Sequence, residues 1–197
     1  MSSIPDSPNP LDTLAAWIAE AAAEALPEPT AMALATTARD GSPSVRYVLC
    51  RGVDHRGIRF FTNYESRKGH ELDATKRAAA AFHWASLQRQ VRVEGRVVRA
   101  TPEESDAYFQ SRPRGSQIAS ALSPQSRPIA SLEELRVRCD ELAARVGGGV
   151  IERPEWWGGY WILAEAVELW RAGADRMHDR IRYERDGAGW RGVRLGP

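Results

Sequence analysis

The chain has 197 residues, of which 43% are hydrophobic and 27% are charged, and its formal net charge at pH 7 is +1. These values are ordinary for a soluble globular protein, and so balanced a charge does not point to a nucleic-acid partner. Two cysteines, Cys50 and Cys139, and four scattered histidines give neither a disulfide framework nor the ligand spacing of a metal site, so no metal is expected.

The first element predicted along the chain is a helix that follows a short polar arm. Residues 1–10 are rich in Ser and Pro and are expected to form a flexible N-terminal arm, without the pattern of a signal peptide. Apolar residues at helical spacing predict a helix over 11–26, ended by Pro27 and Pro29. No apolar run is long enough to span a bilayer, so we expect a cytoplasmic protein that does not enter a membrane.

The middle of the chain reads as a meander of β-hairpins. Strands are predicted over 31–37, 44–51, 58–62, 78–84 and 89–99, with turn signals between the first three and a short helix over 66–74. In the last of these strands Val91, Val93 and Val97 alternate with charged residues, which indicates one buried and one wetted face.

Two helices and further strands complete the chain. Thr101 with Glu104, and Ser131 with Glu134, have capping-box spacing and predict helices to about 111 and 146, the second ended by the glycines at 147–149. Strands are predicted over 160–170, 181–185 and 190–195. Many short strands without βα alternation favour a mainly β, α+β fold, a small antiparallel barrel with peripheral helices and one domain over 11–197.

Arginine, hydroxyl and amide side chains gather in segments that are flanked by apolar strands. These donors suit a phosphate ester, and glutamine suits the edge of a heteroaromatic ring. The alternative is that the arginines reflect a GC-rich genome and that these loops are simply solvated. The segments are Arg46, Thr62, 66–68, Gln90, 112–117, 125–126 and 176–180.

Five of these and neighbouring segments, in this order, carry a resemblance to a known family. They read FFTNYESRKG at 60–69, RQVRVEG at 89–95, YFQSRPRGSQ at 108–117, WGGY at 157–160 and RMHDR at 176–180. Over residues 12–197 the chain resembles the pyridoxamine 5'-phosphate oxidase family. The resemblance implies an FMN-binding split β-barrel that forms a homodimer, with FMN at the subunit interface.

The resemblance also implies the activity. Members of the family oxidise pyridoxamine or pyridoxine 5'-phosphate to pyridoxal 5'-phosphate and pass the electrons to dioxygen. A hydride moves from the C4' carbon of the substrate to the flavin N5, so the protein has only to stack two rings and hold their phosphates apart. Such a site needs no protein nucleophile, which agrees with the absence of a G-x-S-x-G elbow and a Walker A loop in the sequence.

Matching positions assign roles to individual residues. Arg67 and Lys68 would meet the FMN phosphate, and Arg176 and His178 would act on the substrate beside the flavin as the catalytic pair. The implied FMN contacts are Arg46, Val48, Leu49, Phe61, Thr62, Arg67, Lys68, Gln90, Gln125, Ser126, Trp170 and Arg180. The implied substrate contacts are Arg51, Tyr108, Arg112 and Ser116, together with Arg176 and His178.

The chain departs from the family pattern at three places. Arg51 stands where the family usually has Lys, so a planar guanidinium with several N–H donors replaces the compact charge of an ammonium group. Ile-Gly-Ala-Trp becomes the segment 118–121, Ile-Ala-Ser-Ala, and Trp-Gln-Gly becomes 170–172, Trp-Arg-Ala, whose Arg171 would add a positive charge near the flavin.

These departures leave two alternatives to the vitamin B6 oxidase. One is a specialised relative that oxidises another ring, as dihydrophenazine oxidases do; such relatives tend to lose the set Tyr108, Arg112 and Ser116, which this chain keeps. The other is a non-catalytic protein that binds FMN or pyridoxal phosphate, against which Arg176 and His178 argue.

Overall fold

The computed structural model describes Ile4 and residues 7–197, and within them nine strands form one antiparallel sheet flanked by five α-helices. The helices are α1 (Pro10–Ala23), α2 (Arg67–Thr75), α3 (Pro102–Ser111), α4 (Arg114–Leu122) and α5 (Leu132–Val146), with a short 3₁₀ helix at Ala174–Arg176. The strands are β1 (Ala31–Thr37), β2 (Pro43–Leu49), β3 (Gly52–Asp54), β4 (Gly57–Asn63), β5 (Arg77–Trp84), β6 (Arg89–Arg99), β7 (Trp157–Arg171), β8 (Asp179–Asp186) and β9 (Gly189–Arg194).

The long strand β7 divides the sheet into two branches. The strands run in the order β2-β1-β5-β6-β7-β4-β3, while β8 pairs with β7 and β9 with β8. The first half of β7, up to Leu163, pairs with β4, and its second half, from Ala166, pairs with β8. Beside this fork β6 has a bulge at Glu94/Gly95, where a Cβ on Gly95 would lie 1.9 Å from the carbonyl oxygen of Leu163. The bulge therefore turns the sheet where the barrel splits.

The core follows the alternation of the strands. Val91, Val93 and Val97 of β6 are buried as predicted, and the neighbouring strands contribute Phe82 and Ile162 to the same cluster. Helix α1 adds its apolar face to this cluster, with Leu11, Leu14 and Trp17 buried. The mainly β architecture with peripheral helices is thus confirmed, because period-two burial is what a sheet packed on one face requires.

The observed ends of the helices and strands agree with the predicted ones to within a few residues, and one of the largest differences occurs at a turn. Helix α1 ends at Ala23, not 26, because Ala25 takes a positive φ of 53° and the N–H of Leu26 bonds back to the carbonyl of Ala21. Strand β2 ends at Leu49 rather than residue 51. The capping box of Thr101 and Glu104 is present in both directions, whereas Ser131 only accepts from the N–H of Glu134.

Three elements were not predicted: the three-residue β3, helix α4 and the 3₁₀ helix at Ala174–Arg176. Helix α4 starts directly after α3, with Arg112 extended between them and Pro113 at the N-cap. Local propensity gives little sign of it, because its first residues, Arg-Gly-Ser, read as a loop. The buried amide of Gln117 holds it in place, since its Nε2 donates to the carbonyls of Phe109, Gln110 and Arg112.

The N-terminal arm lies only partly within the described residues. Of residues 1–6 the structure describes Ile4 alone, which is buried in the core and whose N–H donates to Asp179 Oδ2 at 2.8 Å. The predicted flexibility of residues 1–3, 5 and 6 concerns residues that lie outside the described part of the chain. Among the helices of the described residues, none combines the length and apolar character of a membrane span.

Candidate functional site

A cavity of about 550 Å³ opens beside β2 and β4 and is closed by α3, α4 and the loop after α4. We call it the main cavity. Its volume is within the range of about 300–1,000 Å³ that is usual for small-molecule sites. It collects eleven of the residues predicted for ligand binding: Arg46, Val48, Leu49, Arg51, Phe61, Thr62, Lys68, Tyr108, Arg112, Ser116 and Gln125.

One end of the main cavity is built around a buried ammonium group. Lys68 is 8% exposed, and its Nζ donates to Gln125 Oε1 at 2.9 Å, Thr62 Oγ1 at 3.1 Å and Ser66 Oγ at 3.3 Å. All three acceptors are neutral. Burial and, to a smaller extent, the positive charge of Arg46 lower the pKa of Lys68 to about 8, although the charge of Glu71 acts in the opposite direction. A buried cation held only by neutral oxygens is expected where an anionic ligand supplies the opposite charge.

A buried carboxylate that the sequence analysis missed lies behind this end of the cavity. Glu71 accepts from Ser44 Oγ at 2.6 Å and from Arg67 Nε at 2.8 Å, and its Oε2 lies 3.3 Å from Arg46. Burial by itself would raise the pKa of Glu71, but hydrogen bonds from Ser44, Thr36 and Arg67 and the charge of Arg46 lower it to about 2. Glu71 therefore anchors Arg46 at the wall. The i,i+4 spacing of Arg67 and Glu71 on a predicted helix was the available signal.

A second group of cations lies in the same cavity. Arg51 and Arg112 both line it, together with Tyr108 and Ser116, and among its described lining residues none is acidic. Burial lowers the pKa of Arg112, and the positive charge of Arg51 acts in the same direction. Two arginines of like charge in a cavity whose described lining has no carboxylate are an arrangement that favours the binding of an anion.

Stacked aromatic rings line the same cavity. The Phe61 and Tyr108 rings are stacked with centroids 4.0 Å apart, and the Trp157 ring lies nearly parallel to Phe61 at 5.6 Å. Trp157 also lines the cavity. The guanidinium carbon of Arg112 lies 4.7 Å from the centroid of Trp157. The cavity thus combines flat aromatic walls with two pairs of positively charged side chains.

Five of the remaining seven predicted residues form a second group at the far end of β7. In the register of the sheet, Gln90 lies opposite Trp170, and Trp170 lies opposite Arg180. The rings of Trp170 and His178 are 4.8 Å apart, and Arg180 donates through Nε and Nη2 to the buried Glu168 at 3.0 and 2.8 Å. We call these residues, with Arg176, the β7–β8 cluster.

The segment before β8 holds the predicted catalytic pair in a tight turn. Asp175 and Arg176 both take positive φ, of 51° and 65°, which costs free energy for residues other than glycine. Gly173 is needed there, because a Cβ would lie 1.8 Å from the carbonyl oxygen of Met177. His178 Nδ1 accepts from the Gly173 N–H at 3.3 Å, so the neutral imidazole carries its proton on Nε2. Arg176 is exposed.

Within one chain the two groups do not meet. Trp157 lines the main cavity, whereas Trp170 belongs to the β7–β8 cluster. The two residues are thirteen positions apart on the same strand, which corresponds to a distance of up to about 43 Å along a fully extended strand. Arg67 is also outside the cavity: its side chain is 62% exposed and bonds Glu71. Ser126, exposed and with a φ of 69°, follows Gln125 on the loop.

Arg171, the departure beside Trp170, faces away from the β7–β8 cluster. Successive side chains of a strand point to opposite faces, so Arg171 and Trp170 do not share one. The charge of Arg171 acts on Glu20 of α1, whose pKa is lowered first by a hydrogen bond from Arg89. The charge of Arg171 therefore acts on the opposite face of the strand from Trp170.

Tyr47, Pro113 and Ser120 also line the main cavity and were not among the predicted contacts. Tyr47 of β2 is 78% exposed. The alternation of the strand in the sequence was the only available signal for it, and that signal does not show that the side chain lies beside a cavity. Pro113 and Ser120 belong to the turn and helix that local propensity did not reveal. No sequence signal distinguished Ser120 from its neighbours.

Comparisons with known proteins agree on one family. Residues 18–145 match the family model described as pyridoxamine 5'-phosphate oxidase. Residues 157–197 match a second model, the pyridoxine 5'-phosphate oxidase C-terminal dimerisation region. The two models together include both the main cavity and the β7–β8 cluster.

Curated relatives are similar over nearly the whole chain. A pyridoxine/pyridoxamine 5'-phosphate oxidase of Rubrobacter xylanophilus is 50% identical over 190 residues, 96% of this chain and 88% of the relative. One of Cupriavidus taiwanensis is 48% identical over 192 residues, 97% of this chain and 90% of the relative.

Solved structures share the fold. PhzG from Burkholderia lata 383, crystallised with tetrahydrophenazine-1-carboxylic acid, superimposes with a TM-score of 0.92 at 35% identity, over 97% of this chain and 94% of PhzG. A pyridoxamine 5'-phosphate oxidase-related, FMN binding protein from Nostoc punctiforme gives 0.75 at 16% identity, over 94% and 96%. At 16% identity, the similarity to the second structure shows only that the fold is shared.

Proposed function

Because this chain belongs to the pyridoxamine 5'-phosphate oxidase family, we propose that it oxidises pyridoxamine or pyridoxine 5'-phosphate to pyridoxal 5'-phosphate, with FMN as its cofactor and dioxygen as electron acceptor. The observation that carries the proposal is one cavity lined by Arg46 and Lys68, by Arg51 and Arg112, and by stacked aromatic rings. An oxidase that stacks two phosphorylated rings needs this arrangement.

The residues at the first end of the main cavity fit the phosphate of FMN. Lys68 is buried without a carboxylate in contact, and a bound phosphate supplies the opposite charge. Thr62 and Gln125 add hydrogen-bonding groups, and Arg46 adds a second charge that Glu71 orients. When bound, FMN supplies the two-electron chemistry, taking electrons from the substrate and passing them to dioxygen. Arg67 remains a proposed contact that needs a different side-chain position.

The second end of the main cavity fits the phosphate of the substrate. Arg51 and Arg112 provide paired charges, and Tyr108 and Ser116 provide hydroxyl groups. Helix α4 begins at Arg114 without a side-chain cap, so its first N–H groups, next to Pro113 and Ser116 at the cavity, are open to an anion.

The β7–β8 cluster completes the site from a second subunit. Since the cluster and the main cavity lie at opposite ends of β7, a homodimer is the simplest way to bring them together, and the dimerisation region matched at 157–197 supports it. In this proposal Gln90, Trp170 and Arg180 of one subunit contact the FMN held by the other. In the same proposal, residues 11–197 form one FMN-binding split-barrel domain. The cytoplasmic location remains a prediction from the sequence.

Arg176 and His178 are the proposed catalytic residues. Oxidising the alcohol or amine at C4' removes two electrons and two protons, which leave on dioxygen as hydrogen peroxide; the amine route also consumes water and releases ammonia. With Nδ1 bonded to Gly173, His178 can donate from Nε2 to the alcohol oxygen or amine nitrogen and hold it in place. The guanidinium of Arg176 stabilises negative charge that develops there. Neither residue acts as a nucleophile.

Anaerobic reduction of the flavin tests this function. Protein loaded with FMN should lose its visible flavin absorbance when pyridoxine 5'-phosphate is added without oxygen, and regain it on aeration with release of hydrogen peroxide. Pyridoxine without the phosphate should reduce it much more slowly, because the pair Arg51 and Arg112 then has no anion to hold.

The same assay separates the alternatives. Reduction only by a reduced tricyclic compound would instead favour a PhzG-like activity, and no reduction by any of these compounds would favour a binding protein. Two findings support the B6 substrate: the retained set Tyr108, Arg112 and Ser116 in the cavity, and curated oxidases that are 48–50% identical where PhzG is 35% identical.

Mixed dimers test whether the site is shared between subunits. Lys68→Met affects the main cavity and Arg176→Ala affects the β7–β8 cluster, so each homodimer should be almost inactive. Random mixing of the two makes about half of the dimers mixed, each with one intact site, and should restore about a quarter of wild-type activity. A site built within one chain would give no recovery, as would mixing two different cavity variants.

A further inference from the structure

Ser120 makes a specific contact with the proposed phosphate site, although its role follows from no sequence motif. It lies on α4 one turn after Ser116, so both hydroxyls share a helix face, and both line the main cavity. Its Oγ accepts a hydrogen bond from Arg112 Nη1 at 2.8 Å. Within the described part of the chain this is the one side-chain hydrogen bond of the Arg112 guanidinium.

The Arg112 guanidinium needs such a support. It is partly buried and faces the like charge of Arg51, and both effects lower its pKa and favour its displacement toward water. The Trp157 ring holds one side of the guanidinium at 4.7 Å but does not fix its rotation in the plane of the ring. The hydroxyl of Ser120 fixes that rotation, since it binds one N–H in a defined direction.

Ser120 also lines a second, smaller cavity. A smaller cavity of about 250 Å³ adjoins the main one and shares Arg112, Ser116, Ser120, Gln125 and Trp157 with it. The hydrogen bond from Arg112 to Ser120 therefore joins residues that line both. Without it the guanidinium could turn from the main cavity into the smaller one.

We propose that Ser120 is a positioning residue that holds the Arg112 guanidinium toward the main cavity for the phosphate monoester of the substrate. The proposal rests on the function proposed above. One of the five guanidinium N–H groups is used by Ser120, and the others remain to bind phosphate oxygens. Ser120 itself does not touch the reacting carbon.

The test is Ser120→Ala in the FMN-loaded dimer. We expect the KM for pyridoxine 5'-phosphate to rise about five- to tenfold, the loss of one hydrogen bond to a positioned group, with kcat within about twofold of wild type. The dissociation constant for pyridoxal 5'-phosphate, measured by fluorescence quenching, should rise by a similar factor. FMN affinity and the turnover of unphosphorylated pyridoxine should not change, and Ser120→Thr, which keeps the hydroxyl, should restore the KM.

The matched control is Ser111→Ala, the same chemical change beside Arg112. Ser111 is exposed and its hydroxyl bonds the carbonyl of Tyr108, so its KM should stay at the wild-type value. An unchanged KM in Ser120→Ala, or a parallel loss of kcat, FMN affinity and melting temperature, would overturn the positioning role. If wild-type protein turns over no phosphorylated vitamer, the proposed function fails, and pyridoxal 5'-phosphate binding still decides the role of Ser120.

Discussion

Lys68→Met should weaken FMN binding at least about a hundredfold, because it removes the one buried cation that the proposal places against the cofactor phosphate. Methionine has nearly the same length and keeps the packing of the chain. The measurement is an FMN titration of apoprotein followed by flavin fluorescence. The effect should be largest for FMN and small for riboflavin, which lacks the phosphate.

The same substitution should stabilise the apoprotein at neutral pH. The pKa of Lys68 falls from 10.5 to about 8 in the folded chain, so folding disfavours its charged form. The resulting penalty, about 3 kcal/mol by the linkage relation, is fully present below pH 8 and is relieved as the pH rises toward 10.5. Lys68→Met should therefore unfold at higher urea than wild type at pH 7, and the difference should shrink by pH 10.

The other lysine of the chain provides the control. Lys76 follows α2, its side chain is 59% exposed and its Nζ pairs with Asp73, so Lys76→Met should change neither FMN affinity nor the pH dependence. A Lys68→Met protein that binds FMN as tightly as wild type would contradict the phosphate assignment. Apoprotein that is less stable at pH 7 would contradict the electrostatic argument.

Arg112→Ala should raise the KM for pyridoxine 5'-phosphate by roughly a hundredfold and leave FMN affinity nearly unchanged. The loss combines the charge-assisted bonds to the phosphate with the contact on Trp157. Because Arg51 remains, some phosphate binding should persist, and the preference for phosphorylated over unphosphorylated vitamer should fall by the same factor. Steady-state kinetics with both vitamers measures this.

Arg114→Ala separates the lost charge from disturbance of α4. Arg114 is exposed two residues away, and its guanidinium donates to the carbonyls of Gly147 and Gly149 rather than facing the cavity. Its KM should match wild type. If Arg112→Ala weakens FMN and substrate together, the division of the main cavity into two phosphate sites is wrong.

Most strands and the helices α1, α2, α3 and α5 were predictable from local patterns. Alternation in β6 and helical spacing in α1 reflect the burial of one face, which hydrophobicity records directly in the sequence. The capping box at Thr101 marked a helix start for the same local reason. Helix α4 escaped prediction because it is held by Gln117 against the end of α3, a contact between elements.

The residues of the site were predictable as a set but not as a geometry. Motifs brought together eighteen candidates, and the structure divides them between the main cavity, the β7–β8 cluster and positions outside both, such as Arg67. The partners that orient them, Glu71 for Arg46 and Ser120 for Arg112, were missed. Carboxylates and serines occur throughout such a chain, and only proximity gives these two a role.

The sequence by itself determined the class of fold, the order of its strands along the chain and the family, because apolar periodicity and motif order are properties of the chain in one dimension. The tertiary structure decided which cations share a cavity, which of them Glu71 neutralises, and that Trp170 and His178 lie at the other end of β7 from Trp157. Charge–charge and hydrogen-bonding effects depend on distances of a few ångströms between residues far apart in sequence, and these distances exist only once the sheet has folded.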